Sequence, residues 1–343
     1  MTLIRLRTLF SLVALALATT SFLPVWAADK LRISLDTNPS HVRNKGVDIF
    51  VTELKKRVGD KLVIEVYPSA QLFRDRDIPK ALRQDAVEMA VPGTWQLDGV
   101  EPNAAIQTLP MFYGVDGDTV HTVMDGKLGV FLSGRLEKSM RVKVLGKWFD
   151  LGMQNAYGIK TPINNYEDFK GKKIRHSGGS ANAARLSGLG ANPVLVPFPD
   201  LPMAMSQGII DGVCTTHESA WSSKLHESGL KYAFEDDQFM GQYVPMISLK
   251  FWNKQPKNIQ TAILEAWDVA ATQQRAMAAK AQGAARENLI KAGMIVVKPK
   301  PADLLAKRRM LVASQDALVK KMKIDPEAVA EARAGLTEAK VAL

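Results

Sequence analysis

The residues best suited to hold a small molecule lie in the stretch 171–221. Arg175 ends a short strand-like run, KKIR, and Phe198 ends a second, NPVLVPF. Between them, a segment opens with Ser and Gly and continues as an Ala-rich helix. After the second run, Leu201, Met205 and Ile209 recur at helical spacing and close on Ile210-Asp211-Gly212. A β-α-β-α unit of this kind brings loops to the carboxyl ends of its strands, where open α/β sheets bind ligands. A fixed guanidinium beside an aromatic face receives a small carboxylate well, because arginine can donate two parallel hydrogen bonds to it. An arginine at a strand end also suits a plain surface ion pair. Trp95, in the PGTWQ turn after the apolar run 87–91, is either a second ligand platform or a core side chain.

Covalent chemistry finds less support. Cys214 and His217 are close in sequence, but nearness does not make a nucleophile and base, and a lone cysteine commonly sits inert in a core. No G-x-S-x-G is present. Five histidines occur, with no H-E-x-x-H and no pair at metal-ligand spacing. An exported hydrolase using Cys214 or a serine with His217 is therefore kept only as an alternative, and neither metal nor cofactor is expected.

The surrounding elements read as α/β. Residues 31–35 (LRISL) alternate as a strand, and 36–40 (DTNPS) form a loop with helix-start signals. Residues 41–58 follow as a helix with Val47, Phe50, Val51 and Leu54 on one side, and 61–67 (KLVIEVY) as a second strand. That order implies a right-handed parallel crossover. Residues 71–77 form a polar loop ending in Arg74, Asp75, Arg76 and Asp77. Helical patterns are expected at 78–84, in one or two pieces at 119–135, and at 222–232. Strands are expected at 142–148 and, with Pro245 marking an edge or irregular strand, at 242–249. Gly152 marks a crossing between halves. The longest helical pattern, 257–292, would extend about 50 Å, enough to run along two lobes. Residues 294–297 read as a last strand and 301–343 as a charged helical tail. Without a repeat or a linker, the two halves are expected to interleave in sequence.

The chain has 343 residues, 46% of them apolar, and a formal net charge of +10. Residues 1–27 read as a signal peptide. Arg5 and Arg7 supply the charged start, an apolar run follows, and Val25-Trp26-Ala27 offers small residues before a cleavage at Ala28. Removing the leader leaves about +8, which favours an anionic ligand. Long Lys/Arg runs, zinc-ligand spacing and aromatic-basic motifs are absent, which argues against nucleic acid as a partner. Cys214 is the only cysteine, so no internal disulfide forms. Export without disulfides suits a periplasm, and a chain this long has core enough without them.

The blocks GKKIR, LGANPVLVPF and MSQGIIDGV, in that order, resemble the extracytoplasmic receptors of TRAP (tripartite ATP-independent periplasmic) transporters, the DctP-like family. IQTLPMF, TPINNYEDF and FWNKQP, with Gln255 where leucine is usual, extend the likeness over nearly all of 31–325. The resemblance implies a two-lobed periplasmic binding protein with a hinge and one long helix spanning both lobes. Residues 28–151 and 241–280 would form one lobe, and 152–240 and 281–343 the other. It implies Arg175 as the carboxylate clamp and Phe198 as the aromatic on the ligand. Thr215 would stand where many members have asparagine, Gln242 would come from the other lobe, and Asp36 and Asp75 would line the pocket. It further implies a monomer that hands a small organic or sugar acid to the small and large subunits of a membrane permease.

The departures from the family pattern matter as much. Many members carry a second arginine where this chain has Asn155, with Gln154 beside it. Gly178 stands where asparagine is common and Gly93 where some members have glutamate. Asp200 and Pro202 replace the glutamate and tyrosine of another segment. The pocket is thus rebuilt, with His217 and Trp221 as candidates for replacement contacts. A ligand sensor of the same fold, signalling to a partner instead of serving a permease, would look the same in sequence.

Overall fold

The computed structural model describes residues 29–341. The signal-peptide reading of 1–27 lies outside them. The chain starts with β1 (Asp29–Ser34), α1 (Val42–Val58) and β2 (Leu62–Tyr67). The two strands pair in parallel from Asp29↔Leu62 to Ser34↔Tyr67. Helix α1 buries Val47, Phe50 and Leu54, the face its sequence spacing indicates. Helix α2 (Ile78–Arg83) leads into β3 (Met89–Ala90), followed by 3-10 turns within 94–112. Then come α3 (Gly117–Met124), α4 (Lys127–Met140), β4 (Val142–Val144) and β5 (Phe149–Gly158). The central block supplies β6 (Lys173–His176), α5 (Ser180–Gly188), β7 (Asn192–Leu195), α6 (Leu201–Ser206), β8 (Gly212–Thr215) and α7 (His217–Ser222). Strand β9 (Tyr232–Tyr243), β10 (Met246–Ser248), α8 (Leu249–Lys254) and α9 (Lys257–Lys291) follow. The described chain closes with β11 (Ile295–Val297), α10 (Pro301–Ala313), α11 (Gln315–Met322) and α12 (Pro326–Glu338).

These elements build two sheets. The first runs β2-β1-β3-β10-β4 and the second β11-β9-β5-β8-β6-β7. Strands return to each sheet from distant parts of the chain, so the two halves interleave. The long antiparallel pair β5–β9 carries register shifts between Asp150 and Gly152 and between Gln154 and Ala156. Its Tyr243 end also bridges to Gly93, beyond β3 of the first sheet. Neither strand is legible in the sequence. FDLGMQNAYG and YAFEDDQFMGQY are broken by glycine and charge because their side chains serve buried polar networks, so the usual apolar alternation is missing. The expected helix over 222–232 does not form: α7 ends at Ser222, and turns over 223–229 lead to β9.

Helix α9 matches the long pattern. It packs on α1, α7 and β5. Trp267 is fully buried, stacks on Phe149 at 4.1 Å between ring centroids, and donates from Nε1 to the Lys147 carbonyl at 2.9 Å. Farther along, Gln274 accepts from the Asp150 amide at 2.9 Å and donates to the Asp150 carbonyl at 2.7 Å. Gln282 donates to the Leu151 carbonyl at 2.5 Å and accepts from the Glu218 amide at 3.0 Å. The helix is thus tied to β5 at its first irregularity and to α7 beyond it.

The helices of the tail pack in two directions. Leu311 of α10 lies with Leu186, Phe169 and Phe234 of the second half. Ala328, Ala332 and Leu336 of α12 instead pack with Leu128, Leu132 and Leu136 of α4. The small apolar stripe of α12 is thus covered by α4.

Gly152 stands at the first irregularity of β5 with φ +117°, and a Cβ there would meet Gln282 Nε2 at 2.7 Å. Both the backbone region and the space exclude a side chain. Gly152→Ala is expected to cost about 1–3 kcal/mol, read as a lower denaturant midpoint at unchanged slope.

Candidate functional site

A cleft holding about 380 Å³ of space between atoms, part of it open to solvent, lies where the strand ends of the two sheets face one another. From the first sheet it is lined by Asp36 and Thr37 after β1, His41 at the start of α1, Asp75, and Trp95 and Gln96 after β3. From the second come Arg175 and Ser177 at the end of β6, Phe198 after β7, Thr215 at the end of β8 and Ser219 of α7. Leu151, Gln154 and Tyr243 of the long strand pair complete the wall. The first-half and second-half walls touch over the cavity. Arg74 pairs with Asp200, Gln96 donates to the Ser177 carbonyl at 2.8 Å, and Asn38 donates to Ser223 Oγ at 2.9 Å. The site is therefore a closed cleft.

Arg175 is only 1% exposed. Its Nε donates to the Val196 carbonyl at 2.9 Å and its Nη1 to the Cys214 carbonyl at 3.4 Å. Nη2 is buried with no hydrogen-bond partner among the described residues. Burial pushes the guanidinium's pKa down to about 10, still well above neutrality, so it stays charged. Phe198 stands with its ring centroid 5.8 Å from the guanidinium carbon. A buried cation with an unused donor, held by two carbonyls and flanked by a ring, is arranged to receive an anion.

On the opposite wall sits an arginine that the sequence reading passed over. Arg43 is fully buried. Its Nη1 donates to Asp75 Oδ2 at 2.6 Å and to the Val91 carbonyl at 3.2 Å. Nε donates to Thr37 Oγ1 at 3.0 Å, and Nη2 pairs with Asp36. The Tyr243 ring covers it at 4.5 Å. Burial alone would lower this arginine's pKa, but Asp75 and Asp36 raise it above its ordinary value. Burial, helped by the neighbouring Asp36 charge, lifts Asp75 above the ordinary carboxylate range against the pull of Arg43.

His41 is buried and held neutral, first by burial and then by Arg43 and Lys45. Its Nδ1 accepts from the Arg43 amide at 3.1 Å, so Nε2 carries the proton and faces Ser219 Oγ at 3.0 Å. Glu218, 3.3 Å from the same nitrogen, is pushed up to about 7 by burial. With His41 neutral, this contact is not an ion pair, and Glu218 Oε2 has no hydrogen-bond partner among the described residues.

The structure brings Asp36, Asp75, Trp95, Gln154, Arg175, Phe198 and Thr215 to one cavity. Trp95 is both wall and core: it is 6% exposed and its ring lies 5.6 Å from Tyr243. Gln242, Asn155 and His217 lie elsewhere. Gln242 is fully buried and donates to Asp150 Oδ1 at 2.9 Å. Asn155 Oδ1 accepts from the Asp237 amide at 2.9 Å. His217 contacts Tyr157 Oη at 2.9 Å and Glu235 Oε1 at 3.0 Å. The cause for the first two is strand alternation: Tyr243 and Gln154 take the cavity side, so their neighbours Gln242 and Asn155 turn away. Trp221 stacks on His226 at 4.8 Å, outside the cavity. Sequence reasoning missed Gln96, Leu151, Ser177, Ser219 and Tyr243, and also Thr37, His41 and, behind them, Arg43; only these last three had an available signal. The DTNPS loop and the helix start beyond it follow the carboxyl end of β1, where ligands are expected.

The fold and this enclosed, single-cation cleft define a two-lobed solute-binding protein. The family model for bacterial extracellular solute-binding protein, family 7 (DctP), matches residues 33–322, and the chain belongs to that family. It is 26% identical over 230 residues to the C4-dicarboxylate-binding periplasmic protein DctP of Rhodobacter capsulatus, covering 66% of this chain and 67% of that one. It is 25% identical over 271 residues to the 2,3-diketo-L-gulonate-binding periplasmic protein YiaO of Escherichia coli, covering 79% and 81%. Among solved structures, the sugar acid binding protein DctPAm of Advenella mimigardefordensis, in complex with galactonate, superposes with TM-score 0.86 at 19% identity, covering 91% of this chain and 99% of that one. A TRAP periplasmic solute binding protein of Sulfurospirillum deleyianum with bound succinate gives 0.82 at 23%, covering 90% and 99%. At these identities the structural likeness is one of fold.

Proposed function

We propose that this protein is the periplasmic receptor of a TRAP transporter. It captures a small organic or sugar acid between its lobes and delivers it to an ion-coupled permease of small and large subunits. The observation that carries the reading is the unpartnered Nη2 of Arg175 at the wall of a closed cavity. The family relatives are periplasmic binding proteins for a dicarboxylate and a keto sugar acid. Among the described residues no helix is long and apolar enough to cross a membrane.

The receptor contributes differential binding between open and closed forms and no bond chemistry. The side chains that could suggest otherwise are committed. Burial pushes the Cys214 thiol up to about 11, and its Sγ donates to Gln238 Oε1 at 3.3 Å. His217 faces Tyr157 and Glu235, away from that thiol.

A thermal-shift screen of residues 28–343 against organic acids, sugar acids, keto acids and neutral sugars tests the reading. A ligand of the folded state at a hundredfold its Kd adds about 2.7 kcal/mol of stability. A melting shift confined to carboxylates is expected. Shifts only with uncharged sugars would overturn the carboxylate receptor.

A further inference from the structure

The cavity has two poles of opposite character. Among the described lining residues Arg175 is the only cation, and its free donor marks where a carboxylate goes. The facing wall carries two carboxylates, Asp36 and Asp75, both nine-tenths or more buried. Their shared counter-ion, Arg43, sits behind them. Its nitrogens are engaged by Asp75, Asp36, Thr37 and the Val91 carbonyl. It neutralises part of the acidic pair but has no place among the residues that line the cavity. His41, the other titratable group on that wall, is neutral, with its proton turned toward Ser219. The position opposite Arg175 therefore presents carboxyl oxygens and no free cation, with Asp75 lifted above the ordinary carboxylate range by burial.

A ligand spanning this space meets a cation at one end and carboxylate oxygens at the other. A second carboxylate there would meet the oxygens of Asp36 and Asp75, with Arg43 already engaged by both and no free cation to receive it. A hydroxyl or an ammonium would donate to Asp36 or Asp75. We infer that the ligand is a monocarboxylate whose far end carries hydrogen-bond donors, and that dicarboxylates are rejected. The inference rests on Arg175 as the carboxylate clamp, and it separates this chain from its dicarboxylate-binding relative by the chemistry of one wall.

Titration calorimetry of residues 28–343 with matched straight-chain acids of three to six carbons tests it. At each length the terminal group is methyl, hydroxyl, ammonium or carboxylate. At the best length the hydroxyl or ammonium acid is expected to bind at least about tenfold more tightly than the dicarboxylate, a difference that a single unmatched charge readily produces. Comparing hydroxyl with ammonium identifies which donor the acidic wall selects. A dicarboxylate that binds as tightly as, or more tightly than, its donor-bearing match overturns the inference.

Arg175→Gln separates this failure from failure of the receptor reading. If the variant loses binding to every acid while wild type prefers dicarboxylates, the clamp stands and only the inference falls. If the variant keeps full affinity, or no acid binds wild type, both fall. Asp75→Asn is expected to narrow the discrimination against dicarboxylates by about tenfold. A folded Asp75→Asn protein with unchanged discrimination counts against the acidic wall. Should that variant not fold, the wild-type series decides alone.

Discussion

Arg175→Ala is expected to lose most of the protein's affinity for its acid, on the order of 2–5 kcal/mol. Three structural facts set that size. The guanidinium is almost wholly buried, so water cannot replace it cheaply. It is the only cation among the described lining residues, so no neighbour can take over. Its removal also strips the Val196 and Cys214 carbonyls of a donor. Arg175→Lys keeps a charge but not the planar fork, and should fall between wild type and alanine. Calorimetry on protein checked for native melting makes the comparison. An alanine variant with unchanged affinity would reject the clamp.

The second large effect concerns stability. Arg43→Met leaves Asp36 and Asp75 buried without their cation. Breaking a buried pair from one side costs about 3–5 kcal/mol. The loss should depend on pH in a defined direction. Asp75 already holds its proton more tightly in the folded protein than an ordinary carboxylate does, and without Arg43 it would hold it more tightly still. Across the range above the ordinary carboxylate value, the native state then binds more protons than the unfolded chain. Stability consequently falls as pH rises through that range. The deficit of Arg43→Met against wild type is expected to be smaller near about pH 5 than near about pH 8, read from urea unfolding at each pH. An equal deficit at both values, or none, would show that the acids do not depend on Arg43.

The sequence made some parts of this molecule legible for clear physical reasons. Strands β1 and β2 with α1 between them obey simple alternation and helical spacing, and α9 is long enough for its period to stand out. Arg175 and Phe198 could be placed because each follows directly on a strand. The long strands β5 and β9 stayed hidden. Asp150, Asn155 and Gln242 are buried polar residues bonded by partners far along the chain, and no local pattern announces them. The same cause separated Gln242 from Tyr243 and Asn155 from Gln154. One step along a strand reverses the face, and with the strand unseen the face could not be assigned. Arg43 was concealed differently: it reads as an ordinary polar position in the first turn of a helix, and only the approach of Asp75 from 32 residues away gives it a role.

The amides of Gln274 and Gln282 on α9 limit how the cleft can admit a solute. They grip consecutive residues of one strand, Asp150 and Leu151, beside a glycine that has no room for a side chain. Lateral sliding of the two halves would break both grips at once, whereas rotation about a line through those residues strains them least. Opening is then expected to turn about that line. The mouth is then expected on the edge where Arg74 meets Asp200. If the protein serves as the receptor proposed above, entry and release of the solute are expected to share that doorway.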